Sequence, residues 1–337
     1  MTAPKFQRFA WGVLAYNLLV IVWGAYVRAS GSGAGCGKHW PLCNGEIAPR
    51  AASTELVIEL SHRVTSGIAL VAVVALAVVA FRTFARGHAV RKAAVASVLF
   101  MFSEAGIGAA LVLLEHVAQN PSLKRGVSMA LHLGNTFFLL ATLAALPFFA
   151  AGGKLPAVRR NGPLAAVLLV TCLGFLAVGV SGAIAALGDT LFPAQSLSAG
   201  LVQDASGSAH LFLRLRSLHP FGALLLGGLV TLATFACRIV RRYEPQVVRR
   251  ARLLNVLFLA QLGLGLLNLV LLVPIPTQLA HLLLADTVWI AFVQLCLSAL
   301  QGHEATAADG PAERPLRSPT TDQPGRKDEA DETAVSA

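Results

Sequence analysis

Four histidines stand where an apolar sequence least tolerates them: His62, His132, His219 and His281 each fall at the opening of a long apolar run. Ionisable side chains inside such runs are costly and mark functional sites. Imidazole is a good ligand for iron, and two imidazoles facing one another across a helix bundle can hold a haem in a dry, shaped pocket. The order of the runs pairs His62 with His132 and His219 with His281. A lone intramembrane histidine is as a rule a hydrogen-bonded packing residue, but four at matching depth are hard to explain that way.

His62 has company. It belongs to Glu59-Leu60-Ser61-His62-Arg63, which follows a glycine- and cysteine-rich loop from Ser30 to Gly45. On a helix, positions three apart share a face and lie about 4.5 Å apart along the axis. Glu59 can therefore reach the edge of whatever His62 binds. Arg63, Arg214 and Arg216 flank the histidine-bearing helix starts, where a guanidinium can pair with a propionate or snorkel to the interface. Glu104 and Asp286 are the other intramembrane acids, read first as hydrogen-bonded bundle residues and second as proton-path groups; Asn135 and Asn268 read as interhelical polar contacts. The remaining histidines, His39, His88, His116, His210 and His303, lie in loops or the tail, with His210 near enough to the membrane to touch a propionate.

The elements that must position these residues are apolar. Of 337 residues, 55% are hydrophobic and 13% charged, and the mean hydropathy is +0.67, the balance of a polytopic membrane protein. Eight runs can each span a bilayer, near 11–29, 62–81, 93–114, 129–149, 163–186, 218–237, 253–273 and 277–299. The net charge of +10 comes from basic residues clustered in short loops, such as Arg82 to Lys92, Lys154 to Arg160 and Arg238 to Arg252. That pattern argues for orientation in the membrane and against nucleic-acid binding; it makes these loops and both termini cytoplasmic. Lys5 and Arg8 lead straight into an apolar segment with no small-residue cleavage site, which reads as a retained first span. From 301 to 337 the composition turns acidic and polar, as in a disordered cytoplasmic tail.

Cys172, Cys237 and Cys296 fall in or at the ends of apolar runs and read as inert core residues, whereas Cys36 and Cys43 flank a polar loop on the outer, oxidising side, where a disulfide fits. The two halves also resemble one another. Val27-Arg28-Ala29-Ser30-Gly31 after the first span is matched by Val178-Gly179-Val180-Ser181-Gly182 after the fifth, and Glu104 matches Gln261 at the offset that relates His62 to His219. The expected architecture is all-α: eight transmembrane helices as two pseudo-symmetric four-helix bundles, 1–150 and 151–300.

These stretches resemble the haem A synthase family, which converts haem O to haem A for terminal oxidases. The resemblance is carried by Ser30 to Gly45 with its two cysteines, Glu59-Leu-Ser-His62-Arg63, His132, Leu218-His219-Pro220, and Pro274-Ile-Pro276 through His281. It covers all eight spans and identifies the branch with a cysteine pair in the first outer loop. It implies a multi-pass protein of a bacterial-type cell membrane whose N-terminal half binds the substrate haem O through His62 and His132. The C-terminal half would hold a haem b cofactor through His219 and His281. The implied reaction oxidises a porphyrin methyl to a formyl through hydroxylated intermediates, with the oxygen from water and Glu59 as the catalytic acid/base group. The haem O-producing farnesyltransferase, oxidase assembly factors and membrane lipid are the implied partners, and a homo-oligomer is compatible with it. Some members carry a second cysteine pair; Ser181 to Arg216 here contains no cysteine, which puts disulfide exchange between the two loops in doubt.

Two other readings compete. A dihaem b-type cytochrome exchanging electrons with quinone also accounts for four histidines. It does not account for the halves differing, with Glu59 before His62 where Arg216 stands before His219. A thiol oxidoreductase built on Cys36 and Cys43 lacks the CxxC element such proteins use.

Overall fold

The computed structural model describes residues 1–47, 49 and 53–302; the expected acidic tail lies, from His303 on, outside the described residues. The described chain is all-α. Nine α-helices follow in order among the described residues: α1 Ala3–Ala29, α2 Thr54–Thr83, α3 Ala89–Leu113, α4 Leu123–Ala150, α5 Gly162–Leu191, α6 Leu197–Ala205, α7 Leu211–Val240, α8 Pro245–Val270 and α9 Ile275–Leu300. All except α6 are long and apolar enough to cross a membrane.

The eight expected spans are all present, but most begin earlier than their apolar runs. The physical reason is capping. Ser53 and Ser122 accept the backbone N–H of Leu56 and Arg125, and the His88 and His210 rings accept those of Val90 and Phe212. Helical hydrogen bonding therefore continues through first turns that charged residues such as Glu55, Lys124 and Arg214 interrupt and that hydropathy leaves out. His62, His132, His219 and His281 consequently sit about two turns inside helices that start at residues 54, 123, 211 and 275. The short α6, capped by Ser196, occupies a stretch expected as loop. The expected match of Ser30-Gly31 with Ser181-Gly182 does not hold. Gly31 turns the chain out of α1 at φ 75°, whereas Ser181 and Gly182 lie inside α5.

Packing follows sequence neighbours: α1 on α2, α2 on α3, α3 on α4, then α5 on α7, α7 on α8 and α8 on α9. The centre is made by α4 and α9, the two most buried spans, each packed on the other as well as on α5 and α1. There the Phe137 and Trp289 rings stack at 5.0 Å, the Trp289 indole N–H donates to the Phe137 carbonyl at 2.7 Å, and the Gln294 amide donates to the Ala144 carbonyl. Apolar surface gives little driving force for association within lipid, so such interhelical hydrogen bonds and close ring packing carry the specificity. At the end where α1 and α5 finish and α9 starts, Arg28 donates to the Ala186 carbonyl, Thr190 Oγ1 and Gln278 Oε1. The described residues form one compact unit, Met1–Gly302.

Candidate functional site

The histidine-bearing helices all start at the Arg28 end, which brings the four imidazoles to one level. All four line a cavity of about 1720 Å³. Pockets for drug-sized ligands run to roughly 300–1,000 Å³, so this one has room for more than a single large planar ligand.

Each imidazole is packed against a glycine of another helix. A Cβ on Gly24 of α1 would meet His62 Cε1 at 2.8 Å, one on Gly182 of α5 would meet His219 Cε1 at 2.9 Å, and one on Gly265 of α8 would meet His281 Cε1 at 3.1 Å. Gly108 of α3 stands in the same relation to His132, more loosely, at 4.0 Å. The missing side chains let the rings lie against backbone, which fixes their direction. Position 182 is 158 beyond 24 and 265 is 157 beyond 108, close to the 157 that separates His219 from His62, while His281 is only 149 beyond His132 because the connection into its helix is shorter. The repeat is thus expressed as glycine–histidine pairs.

The polar surroundings of the rings differ between halves. Ser181 Oγ lies 3.0 Å from His219 Nδ1, but its counterpart near His62 is Trp23, and His62 Nδ1 is buried without a hydrogen bond. Glu104 Oε1 lies 3.3 Å from His132 Nδ1, whereas the amide of Gln261 lies 3.2 Å from His281 Nε2 and also donates to the His281 carbonyl. The Nδ1 atoms of His132 and His281 are likewise buried without a hydrogen bond. Buried imidazole nitrogens left unpaired in an apolar bundle are expensive unless a ligand takes up the ring's capacity. Two imidazoles per half, held against glycine in a large apolar cavity, are the donor set that a bis-histidine haem uses, and the residues fit that group.

Glu59 is buried on the cavity wall, at 3% exposure, and both its oxygens are engaged. Oε2 accepts the Cys36 N–H at 2.8 Å, and Oε1 accepts from Arg63 Nε and Nη2. Arg63 also donates to the His39 and Leu42 carbonyls at 2.7 Å each. Its guanidinium thus ties the cysteine loop to α2, a role that sequence reasoning missed. The loop is closed by the Cys36–Cys43 disulfide, with both sulfurs bonded at 2.03 Å and both residues fully buried.

Other residues resolve individually. Glu104 accepts hydrogen bonds from Asn135 Nδ2 and Thr136 Oγ1, as expected of a bonded bundle acid. Asp286 departs from that expectation: it is fully buried and neither oxygen has a hydrogen-bond partner among the described residues. Asn268 accepts from Thr277, an interhelical contact as expected. Arg216 pairs with Asp189 and Asp204, holding α6 against α5 and α7, and Arg214 donates to the Gly207 carbonyl. The His210 ring caps α7 between Phe192 and Phe212. Arg28 and Arg125, both on the cavity wall, were not singled out by sequence because each looks like an ordinary interfacial cation.

The family described as COX15-CtaA, Cytochrome oxidase assembly protein, matches residues 7–293. A Thermus thermophilus protein named Protoheme IX farnesyltransferase is 45% identical over 304 residues, covering 89% of this chain and 50% of that protein. The Bacillus cereus Heme A synthase is 38% identical over 129 residues, covering 38% of this chain and 39% of that protein. The chain spans about half the length of the Thermus relatives it matches.

Proposed function

The chain belongs to the COX15-CtaA family of cytochrome oxidase assembly proteins and is a multi-pass membrane protein; from that footing we propose that it is a haem A synthase, oxidising the methyl group of haem O to the formyl group of haem A. The observation that carries the reading is the fourfold glycine–histidine arrangement around one cavity. In this reading residues 1–150 and 151–300 are two pseudo-symmetric four-helix bundles. His62 and His132 hold the substrate haem, and His219 and His281 hold haem b, which when bound supplies a one-electron redox centre. The basic loops at the far end from the histidines support an orientation with that end, and both termini, cytoplasmic.

The asymmetry of the halves supports the assignment of roles. Glu59 stands one turn from His62 with its carboxylate on the cavity wall, where it can accept protons released as the methyl is oxidised, water supplying the oxygen atom and the electrons passing to a one-electron acceptor. The corresponding position of the second half carries Arg216, already paired with two carboxylates. An electron-transferring dihaem protein has no use for that difference. Relatives that join a segment like this chain to a comparable length of further sequence, under the name of a protohaem farnesyltransferase, support a partnership with the enzyme that makes haem O.

The test separates the two halves. His219→Ala or His281→Ala should remove the haem b spectrum, and His62→Ala should abolish formyl formation while that spectrum remains. A full haem b spectrum in both C-terminal variants would contradict the cofactor assignment, and formyl product from the His62 variant would contradict the substrate site.

A further inference from the structure

The two halves match at 104 and 261, yet they place different chemistry beside the second histidine of each pair. In the N-terminal half a carboxylate, Glu104, stands 3.3 Å from the ring nitrogen Nδ1 of His132, leaving Nε2 for a ligand. That carboxylate is held from the other side by Asn135 and Thr136, three and four residues after His132. In the C-terminal half the matching residue is the neutral Gln261, and the positions three and four after His281 are Leu284 and Ala285. The whole supporting set is therefore present on one side and missing on the other. A carboxylate kept inside a membrane span is expensive, so its presence with two side-chain donors beside it points to a use.

We infer that Glu104 is a positioning residue that makes His132 a more electron-rich ligand, so that the iron held by the N-terminal half has a lower reduction potential than the iron held by the C-terminal half. A carboxylate at ion-pair distance from a ligating imidazole raises the ring's basicity through its charge, and axial-ligand electronics are among the main levers on haem potential. An anionic neighbour favours the ferric over the ferrous state. Electrons released at the N-terminal site then run downhill to the C-terminal one. The inference rests on the haem-binding reading above, and deepens it by giving the two sites distinct redox roles.

The experiment is an anaerobic potentiometric titration of the full chain purified with its haems, followed by optical spectra, for the native protein, Glu104→Gln and Gln261→Glu. Glu104→Gln keeps size and hydrogen-bonding reach but removes the charge. It should raise the ferrous-to-ferric ratio of one haem at least tenfold at fixed potential, a shift of about +59 mV for a one-electron couple, with a bis-histidine spectrum retained. Gln261→Glu, which adds a negative charge beside His281 although at Nε2 rather than Nδ1, should lower the potential of the other haem, and it remains decisive if the Glu104 variant loses haem. Unmoved potentials in variants that keep their bis-histidine spectra would overturn the inference. His132→Ala, run alongside, tests the reading beneath it: loss of one bis-histidine signal upholds ligation, and two intact signals contradict it independently of any potential.

Discussion

Adding a single methyl to each histidine-facing glycine should weaken haem binding in an order set by the contact distances. In Gly24→Ala the new Cβ would lie 2.8 Å from His62 Cε1 and 3.0 Å from Nε2. Ordinary carbon contacts begin near 3.4 Å, so the ring must retreat by about 0.6 Å. A free imidazole can swing to make that room, but one that is bonded to iron cannot, since the bond to the metal fixes the ring. The strain therefore appears in ligand affinity more than in folding. Overpacking of this kind costs about 1–3 kcal/mol, which corresponds to roughly a 5- to 140-fold loss of affinity. Gly182→Ala, with its contact at 2.9 Å, should behave similarly toward the haem on His219, Gly265→Ala at 3.1 Å less, and Gly108→Ala at 4.0 Å hardly at all. Haem titration into the apoprotein, with thermal melting as a check on folding, measures the series. Equal affinities for Gly24→Ala and Gly108→Ala, or a greater loss in the latter, would refute the claim that these glycines seat ligating rings.

Three further outcomes follow from individual contacts. Glu59→Gln should leave haem binding intact and stop formyl formation, because the amide keeps a place on the cavity wall but cannot serve as a proton acceptor; unaltered product in this variant would remove Glu59 from the chemistry. Trp289→Phe removes the donor to the Phe137 carbonyl while keeping a ring to stack, and should cost about 1 kcal/mol, seen as a lower melting temperature in detergent. No change would mean that the α4–α9 contact is held by ring packing alone. Asp286→Asn, nearly the same size, should hold or raise the melting temperature, since a carboxylate with no hydrogen-bond partner is itself a burden of about 1 kcal/mol or more; a clear fall would reveal a partner for this acid.

Much of the fold is legible in the chain because its signals are one-dimensional. Apolar runs long enough for a bilayer, and ionisable residues that break them, mark eight spans and four histidines without any knowledge of packing. Helix starts are less legible, because charged residues such as Glu55, Lys124 and Arg214 interrupt the first turns of α2, α4 and α7, which are held by caps at Ser53, Ser122 and His210. The contacts of Arg63 are invisible for another reason: its loop partners, the His39 and Leu42 carbonyls, are backbone atoms distant in sequence. Matching Ser30-Gly31 to Ser181-Gly182 compared short motifs by composition. The glycine that corresponds to Gly182 is Gly24, and only the ring of His62 against it shows why. The difference between Glu104 and Gln261 was readable, but its meaning required the neighbouring rings.

The most direct measurement is product analysis. The chain, expressed in a host that makes haem O but no haem A, should yield a formyl-bearing haem on extraction, identified by its mass and pyridine haemochrome spectrum. The same extraction from a His62→Ala strain should return haem O unchanged. Haem O alone from the native chain, in membranes where the protein is present and carries haem b, would contradict the proposed activity and leave an electron-transfer role in its place.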